Sequence, residues 1–248
     1  ETVHDRLNVE VLRGCARGCR FCQAGMMYRP VRERSADNIC SAVERGIAET
    51  GYEEVGLTSL STTDHSQIAE ILTRLNRKFA GTGVQVSIPS QRLDAFGVGM
   101  ASIVPGGKRS SLTFAPEAGS QRLRDVINKN VTEEDLVNAV TEACKAGWTR
   151  LKLYFMIGLP SETDEDVIGI AETANLAFSI MRDLVPPDQR GKLGLNLSIN
   201  VFVPKAQTPF QWDGQIESEE ALRRVQLIKK NLRYKPIRVS YHEPKTSM

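Results

Sequence analysis

The chain has 248 residues, of which 41% are hydrophobic and 25% charged, a balance typical of soluble globular domains. Its net charge of +2 is too small to indicate nucleic-acid binding, and no apolar run approaches the length of about 18 residues that a membrane span needs. The five cysteines are odd in number and three share one short segment, which argues against a disulfide framework. We therefore expect a cytoplasmic protein without a membrane segment.

Short β-rich runs alternate with segments of helical period along the chain. The predicted strands are Asn8–Leu12, Glu54–Leu60, Val84–Ile88, Ser111–Ala115, Arg150–Ile157, Leu195–Val203 and Ile237–Tyr241. The predicted helices run from the cap Ser35 to Gly51, from Ile68 to about Gly81, from the cap Thr132 to Gly147, from Asp164 to Asp183 and from Ser218 to Leu232. This alternation predicts parallel βαβ units, and the pattern alone fits both an open doubly wound sheet and a barrel.

Three cysteines, Cys15, Cys19 and Cys22, follow the first predicted strand within eight residues. Thiolates at these gaps in a tight loop can turn toward one point, as ligands of a metal or cluster must. A structural zinc site or an electron-transfer cluster normally has four protein ligands, so three thiolates leave one position open. A zinc site completed by a histidine is the alternative, but none of the three histidines has a finger-like spacing to the cysteines.

The C-x3-C-x2-C spacing, with Phe21 before the third cysteine, resembles the radical S-adenosylmethionine (radical SAM) superfamily. The stretch from Arg13 to Arg34 is similar to the subgroup whose members carry a cobalamin-binding domain before the radical domain. The resemblance implies a [4Fe–4S] cluster on the three cysteines, with S-adenosylmethionine chelating its open iron. It also implies reductive cleavage of S-adenosylmethionine to a 5′-deoxyadenosyl radical, which abstracts hydrogen from an unknown substrate, and a reductant such as flavodoxin or ferredoxin.

The same resemblance implies a partial (β/α)6 TIM-like barrel with parallel strands. We expect residues 1–248 to form one radical SAM core domain of a longer protein, because the chain begins at Glu1 rather than at a methionine. Cobalamin-dependent methyl transfer and methylthiotransferase-like sulfur insertion are the alternative reactions, and any cobalamin would be bound by sequence outside this chain. The alternative to an enzyme is an iron–sulfur or zinc binding module of a larger assembly.

Ligands of parallel α/β proteins bind at the carboxyl ends of the strands, and the candidate residues follow predicted strands. After the second strand, the resemblance implies that Ser59 and Ser61 bind the amino group of S-adenosylmethionine, although Thr63 or Asp64 can instead cap the next helix. After the fourth strand, Glu117 matches the position that binds the ribose hydroxyls. Lys129, twelve residues on, matches a basic position that pairs with the methionyl carboxylate.

Further candidates lie near the adenine and the substrate. The fifth strand partly matches a G-x-I-x-G-x-x-E element at Ile157 and Gly158, and Phe21 is the other adenine candidate. Glu162 or Thr163, which follow in this element, can instead start the next helix. The segment Pro204–Trp212 is either a substrate-side loop or a packed closure of the barrel. Arginines 29, 32 and 34 either hold an anionic substrate or pair with carboxylates on helices. Cys40 and Cys144 lie on predicted helices; Cys144 continues an apolar stripe and is expected in the core, and Cys40 is expected to be structural or inert.

Overall fold

The computed structural model describes residues 5–88, residue 93 and residues 112–241. The strands are β1 (Leu7–Glu10), β2 (Leu12–Arg13), β3 (Arg32–Glu33), β4 (Glu54–Thr58), β5 (Gln85–Ser87), β6 (Leu112–Glu117), β7 (Arg150–Ile157), β8 (Gly194–Val201) and β9 (Ile237–Tyr241). The helices are α1 (Ala24–Met27), α2 (Ala36–Thr50), α3 (Ile68–Lys78), α4 (Gln121–Val126), α5 (Glu133–Lys145), α6 (Asp164–Leu184) and α7 (Ser218–Asn231). Two 3-10 turns, Thr62–Asp64 and Pro187–Lys192, complete the list.

Two parallel sheets form the framework of the fold. One has the strand order β1-β4-β5 and the other the order β6-β7-β8-β9, while β2 and β3 form a small antiparallel ribbon. The order within each parallel sheet follows the order along the chain, as in a barrel, whereas a doubly wound sheet reverses its order at a switch point. The predicted parallel α/β fold is confirmed, and it is a partial, TIM-like barrel that is not closed within the described residues.

Side-chain caps set the helix boundaries that the sequence predicted. The Ser35 hydroxyl accepts a hydrogen bond from the Asn38 N–H at the start of α2, and Gly51 ends this helix at φ 72°, where L-residues are strained. Thr132 forms a reciprocal capping box with Asp135 at the start of α5. The expectation of a side-chain cap from Thr63 or Asp64 on α3 is wrong, because Gln67 precedes that helix and makes no capping bond.

The central strand β7 divides its side chains between two faces. Leu151, Leu153, Phe155 and Ile157 are buried in the main core, which α5, α6 and α7 cover. The alternate residues, among them Lys152 and Tyr154, are half-buried and lie on the opposite face, because successive side chains of a strand point to opposite sides. We call this second side of the sheet β6–β9 the inner face.

The two cysteines outside the cluster segment belong to the main core, which confirms the prediction for Cys144. Cys40 on α2 and Cys144 on α5 are both buried and unbridged. Burial raises the pKa of the Cys144 thiol to about 11, so this thiol stays protonated and unreactive at neutral pH. Within the described part of the chain, no helix has the length and apolar character needed to cross a membrane.

Candidate cofactor site

A cavity of about 310 Å³ opens at the carboxyl ends of β4 and β6 and is also lined by Tyr154 of β7. Its wall contains most of the predicted site residues, which are Cys15, Cys19, Phe21, Cys22, Ser61, Glu117 and Lys129. Arg17, Leu60, Thr113, Phe114 and Tyr154 are among its other lining residues. The fold therefore brings these seven residues together near the carboxyl ends of strands, the position that the sequence predicted for the candidate residues.

The loop that carries the three cysteines, residues 14–23, is fixed from both sides. On one side, Asn128 donates its side-chain amide to the Gly18 carbonyl at 2.8 Å, and the Arg20 N–H donates to the Ile127 carbonyl at 3.0 Å. On the other side, the Arg17 guanidinium makes a two-pronged ion pair with Asp64, at 2.5 and 3.0 Å. These contacts hold the cysteine loop against the turn that follows β4 and the segment that follows α4.

The loop also depends on a close backbone approach. A Cβ atom at Gly25 would lie 2.1 Å from the Arg17 carbonyl oxygen, so only glycine fits there. Arg29 donates to the carbonyls of Gly25 and Ala16, at 2.5 and 3.3 Å. Arg34 likewise donates to the Glu10 carbonyl at 3.3 Å. In the structure these two arginines therefore bind main-chain carbonyls, which neither of the two roles expected from the sequence included.

The two serines after β4 have different environments. The Ser59 hydroxyl lies 2.9 Å from the Thr62 hydroxyl and accepts from the Ser61 N–H at 3.1 Å, so it shapes the turn and does not line the cavity. The Ser61 hydroxyl lines the cavity, is buried, and has no hydrogen-bond partner in the described chain. A buried hydroxyl without a partner is costly, so Ser61 is suited to accept a hydrogen bond from a bound ligand.

Glu117 and Lys129 form an ion pair in the cavity wall. The Lys129 ammonium donates to a Glu117 carboxylate oxygen at 3.1 Å, and the two side chains are only 11% and 17% exposed. Glu117 has φ 70°, in the left-handed region that non-glycine residues rarely adopt, at an irregularity in the pairing of β6 with β7. Strained residues cluster at ligand-binding sites, where the surrounding structure holds a side chain in place.

The adenine candidates are divided between two places. Phe21 lines the cavity and packs on a small apolar cluster formed by Ala118, Leu123, Ile127, Leu159 and Phe202. The Ile157 side chain is buried in the main core, and neither Ile157 nor Gly158 lines the cavity. A contact of these two residues with adenine stays a prediction.

Glu162, which the sequence places at a helix start, is instead a buried tether. Its carboxylate accepts from the Gly158 N–H at 2.6 Å and pairs with Arg224, and one of its oxygens has no hydrogen-bond partner within the described chain. Burial raises the pKa of Glu162 to about 7, despite the opposite effects of Gly158 and Arg224. Thr163, the next residue, caps α6 in a capping box with Asp166.

The loop after β8 both packs and extends outward. Phe210 packs edge-on against Phe202 at 6.0 Å between ring centroids, which joins the loop to the small apolar cluster. Gln23 of the cysteine loop donates to the Ala206 carbonyl at 2.9 Å. Trp212 is 89% exposed. The predicted barrel closure therefore accounts for Phe210, whereas Trp212 remains available on the surface.

The cysteines fit a cluster with one open iron. None of the three cysteines forms a disulfide, and no fourth cysteine and no histidine is among the described residues that line the cavity. Among the described residues, no three histidine, cysteine or acidic side chains converge as ligands of a single metal ion. A cubane cluster binds each thiolate through a different iron, so its ligands need not converge as closely as those of one zinc ion. The unpartnered Ser61 hydroxyl beside the thiols suits a polar ligand on the open iron.

Sequence reasoning missed two cavity residues, Arg17 and Tyr154. Arg17 lies inside the cysteine motif, but its partner Asp64 is 47 residues away and is brought close only by the fold. Tyr154 lies on the inner face, and its hydroxyl accepts from the Lys152 ammonium at 3.0 Å. The alternation of β7 with the apolar Leu153 and Phe155 was the signal that could have shown this orientation.

The protein therefore combines parallel, barrel-like sheets with three cysteines that line a cavity beside the carboxyl ends of strands, an arrangement typical of one class of enzyme. The family model of the radical SAM superfamily matches residues 9–174, and the chain belongs to this superfamily. The superfamily uses a [4Fe–4S] cluster and S-adenosylmethionine, so membership supports the predicted enzyme over a binding module.

Two curated relatives and one solved structure illustrate the likeness. Protein MJ0966 of Methanocaldococcus jannaschii is 35% identical over 94% of this chain and 48% of its own length. The ribosomal protein uS12 methylthiotransferase RimO of Thermotoga petrophila is 23% identical over 78% of this chain and 47% of its own. The chain thus spans about half the length of these relatives.

The solved structure is TsrM of Kitasatospora setae, a radical SAM methyltransferase with cobalamin and a [4Fe–4S] cluster bound. It matches with a TM-score of 0.63 at 14% identity, over 83% of this chain and 38% of TsrM. At this identity the match shows a shared fold, and it agrees with the barrel-like topology described above.

Proposed function

We propose that this chain holds a [4Fe–4S] cluster on Cys15, Cys19 and Cys22 and cleaves S-adenosylmethionine reductively to abstract hydrogen from a substrate. The observation that carries the proposal is the single cavity that these three thiols share with the Glu117–Lys129 pair and the Ser61 hydroxyl. When bound and reduced by a donor such as flavodoxin or ferredoxin, the cluster supplies the electron that cleaves the sulfonium.

The residues around the thiols can hold each polar part of S-adenosylmethionine. Ser61 accepts a hydrogen bond from the ammonium group, since its buried hydroxyl has no other partner in the described chain. Glu117, an acceptor-only carboxylate, suits the two donor hydroxyls of a ribose. Lys129 lies beside it and pairs with the methionyl carboxylate. Phe21 offers an aromatic surface to adenine.

Two alternative reactions follow from the relatives. TsrM supports cobalamin-dependent methyl transfer, and RimO supports methylthiotransferase-like sulfur insertion. The reactions differ in what remains of S-adenosylmethionine, because methyl transfer leaves S-adenosylhomocysteine while hydrogen abstraction leaves 5′-deoxyadenosine. A chromatographic assay of both nucleosides therefore separates hydrogen abstraction alone from any reaction that includes methyl transfer.

The test is anaerobic reconstitution with iron and sulfide, followed by dithionite and S-adenosylmethionine. We expect a brown protein with about four irons per chain that releases 5′-deoxyadenosine. Stoichiometric zinc with no nucleoside release would refute the proposal.

A pair of cysteine variants supplies the matched control. Cys19→Ala is expected to abolish both the iron content and nucleoside release. Cys144→Ala removes a thiol that is buried in the main core, so it should leave both readouts in place. Equal losses in the two variants would mean that folding, rather than ligation, is being measured.

A further inference from the structure

A second cavity, of about 590 Å³, lies at the opposite, amino-terminal ends of β7, β8 and β9. Arg150 is the first residue of β7, Gly194 is the first of β8, and Arg238 is the second of β9. Lys192, at the end of the 3-10 turn before β8, completes the basic part of the wall. This basic cavity, as we call it, is separate from the cysteine site, because Arg150 precedes Tyr154 by four residues, or about 13 Å of strand.

All the charged side chains that line the basic cavity are positive. Arg150, Lys192 and Arg238 line it, and no acidic residue is among its described lining residues. None of the three cations has a side-chain hydrogen bond or an ion pair within the described chain, although arginines elsewhere pair with carboxylates, as Arg223 does with Asp164. All three residues are exposed, so solvent screens their mutual repulsion, and an anion bound among them would be attracted by all three.

The strand register directs the basic groups to the same space. Arg150 pairs with Gly194 on β8, and Arg238 of β9 pairs with Asn196 two residues further along β8. Arg150 lies two residues before Lys152 on β7, and side chains two residues apart point to the same side of a strand, so Arg150 and its neighbours in register lie on the inner face. The two arginines are two strands and two residues apart, about 12 Å. Gly194 lies beside Arg150 on the strand between them, and the absence of a side chain there leaves the space open.

The cavity also offers a neutral hydrogen-bond donor. The side-chain oxygen of Asn196 accepts from the Ser240 hydroxyl at 3.4 Å, which leaves the amide N–H groups of Asn196 for a ligand. Guanidinium groups present paired N–H donors that match the oxygens of a phosphate, and ammonium groups add a point charge. We infer that the basic cavity binds a phosphate group, either as the free ion or as the ester end of a small molecule.

Titration calorimetry with inorganic phosphate, pyrophosphate and glycerol 3-phosphate tests this inference on the whole chain, without cluster or S-adenosylmethionine. At least one probe should bind saturably, and Arg238→Gln should weaken its binding about tenfold or more. Tighter binding of glycerol 3-phosphate than of inorganic phosphate would identify an ester as the ligand, and the reverse would identify the free ion. Either result supports the site.

Arg45→Gln is the matched control, because Arg45 is exposed on α2 and does not line the basic cavity. It should bind the probes as the wild type does, and circular dichroism of both variants should match the wild type. The inference is wrong if no probe binds below about 10 mM, or if Arg238→Gln and Arg45→Gln bind alike. Because no cluster is needed, this outcome is independent of the function proposed above.

Discussion

Replacing Glu117 should separate the stability of the fold from the binding of S-adenosylmethionine. Glu117 has φ 70°, a conformation that costs an L-residue about 1–2 kcal/mol and that glycine adopts freely. Both Glu117→Gly and Glu117→Ala remove the ion pair with Lys129, so its loss cancels when the two variants are compared. Only Glu117→Gly also removes the backbone strain.

The magnitude follows from two opposing terms. Relief of strain favours the glycine variant by about 1–2 kcal/mol, while the larger chain entropy of unfolded glycine costs about 0.5–1 kcal/mol. Glu117→Gly should therefore be more stable than Glu117→Ala by about 0.8 kcal/mol, the difference between the midpoints of the two ranges. Both variants lose charge-assisted hydrogen bonds to the ribose, which should weaken S-adenosylmethionine binding about 10- to 100-fold.

Urea unfolding of the cluster-free variants measures the first difference, and calorimetry of S-adenosylmethionine binding to the reconstituted proteins measures the second. A glycine variant that is less stable than the alanine variant would refute the strain argument. Wild-type affinity in either variant would refute the assignment of Glu117 to the ribose, whatever the stability result.

Two further substitutions test the tether and the loop. Between pH 4.5 and about 7 the unfolded chain ionises Glu162 while the folded protein keeps it protonated, so rising pH lowers stability, by at most about 3 kcal/mol. Glu162→Gln should remove this fall in stability, which urea unfolding at about pH 5 and about pH 7.5 measures. A pH dependence of stability that is the same in the variant and the wild type would contradict this explanation. Asn128→Ala removes the hydrogen bond to the Gly18 carbonyl. It should lower the free energy of unfolding by about 1 kcal/mol more than Asn130→Ala does, since Asn130 also has a φ near 50°. Asn128→Ala should also speed the loss of iron from the reconstituted protein to a chelator. Equal rates of iron loss in the two asparagine variants would count against the role of Asn128 in fixing the loop.

Local signals in the sequence predicted the helices well. Ser35 with Gly51, and Thr132 with Asp135, mark helix ends through bonds between neighbours in sequence. The short helix α4 was missed because six residues are too few to display an amphipathic period. The ribbon of β2 and β3 was missed because two-residue strands carry no alternation.

The candidate site was predicted where motifs name residue types and missed where the fold brings distant residues together. The cysteines were found from their spacing and the Glu117–Lys129 pair from the resemblance to the superfamily, and the structure places all five in one cavity wall. The Arg17–Asp64 ion pair depends on how the loops after β2 and β4 meet, which no local pattern encodes. Glu162 looked like a helix-start residue because its burial depends on Arg224 of the distant helix α7.

The central claim is that three cysteines leave one cluster iron open for S-adenosylmethionine. Electron paramagnetic resonance of the reduced, reconstituted protein tests it most directly, with and without S-adenosylmethionine. We predict that addition of S-adenosylmethionine changes the signal of the reduced cluster, because its amino and carboxylate groups become iron ligands. A signal that stays unchanged at saturating S-adenosylmethionine would contradict the claim.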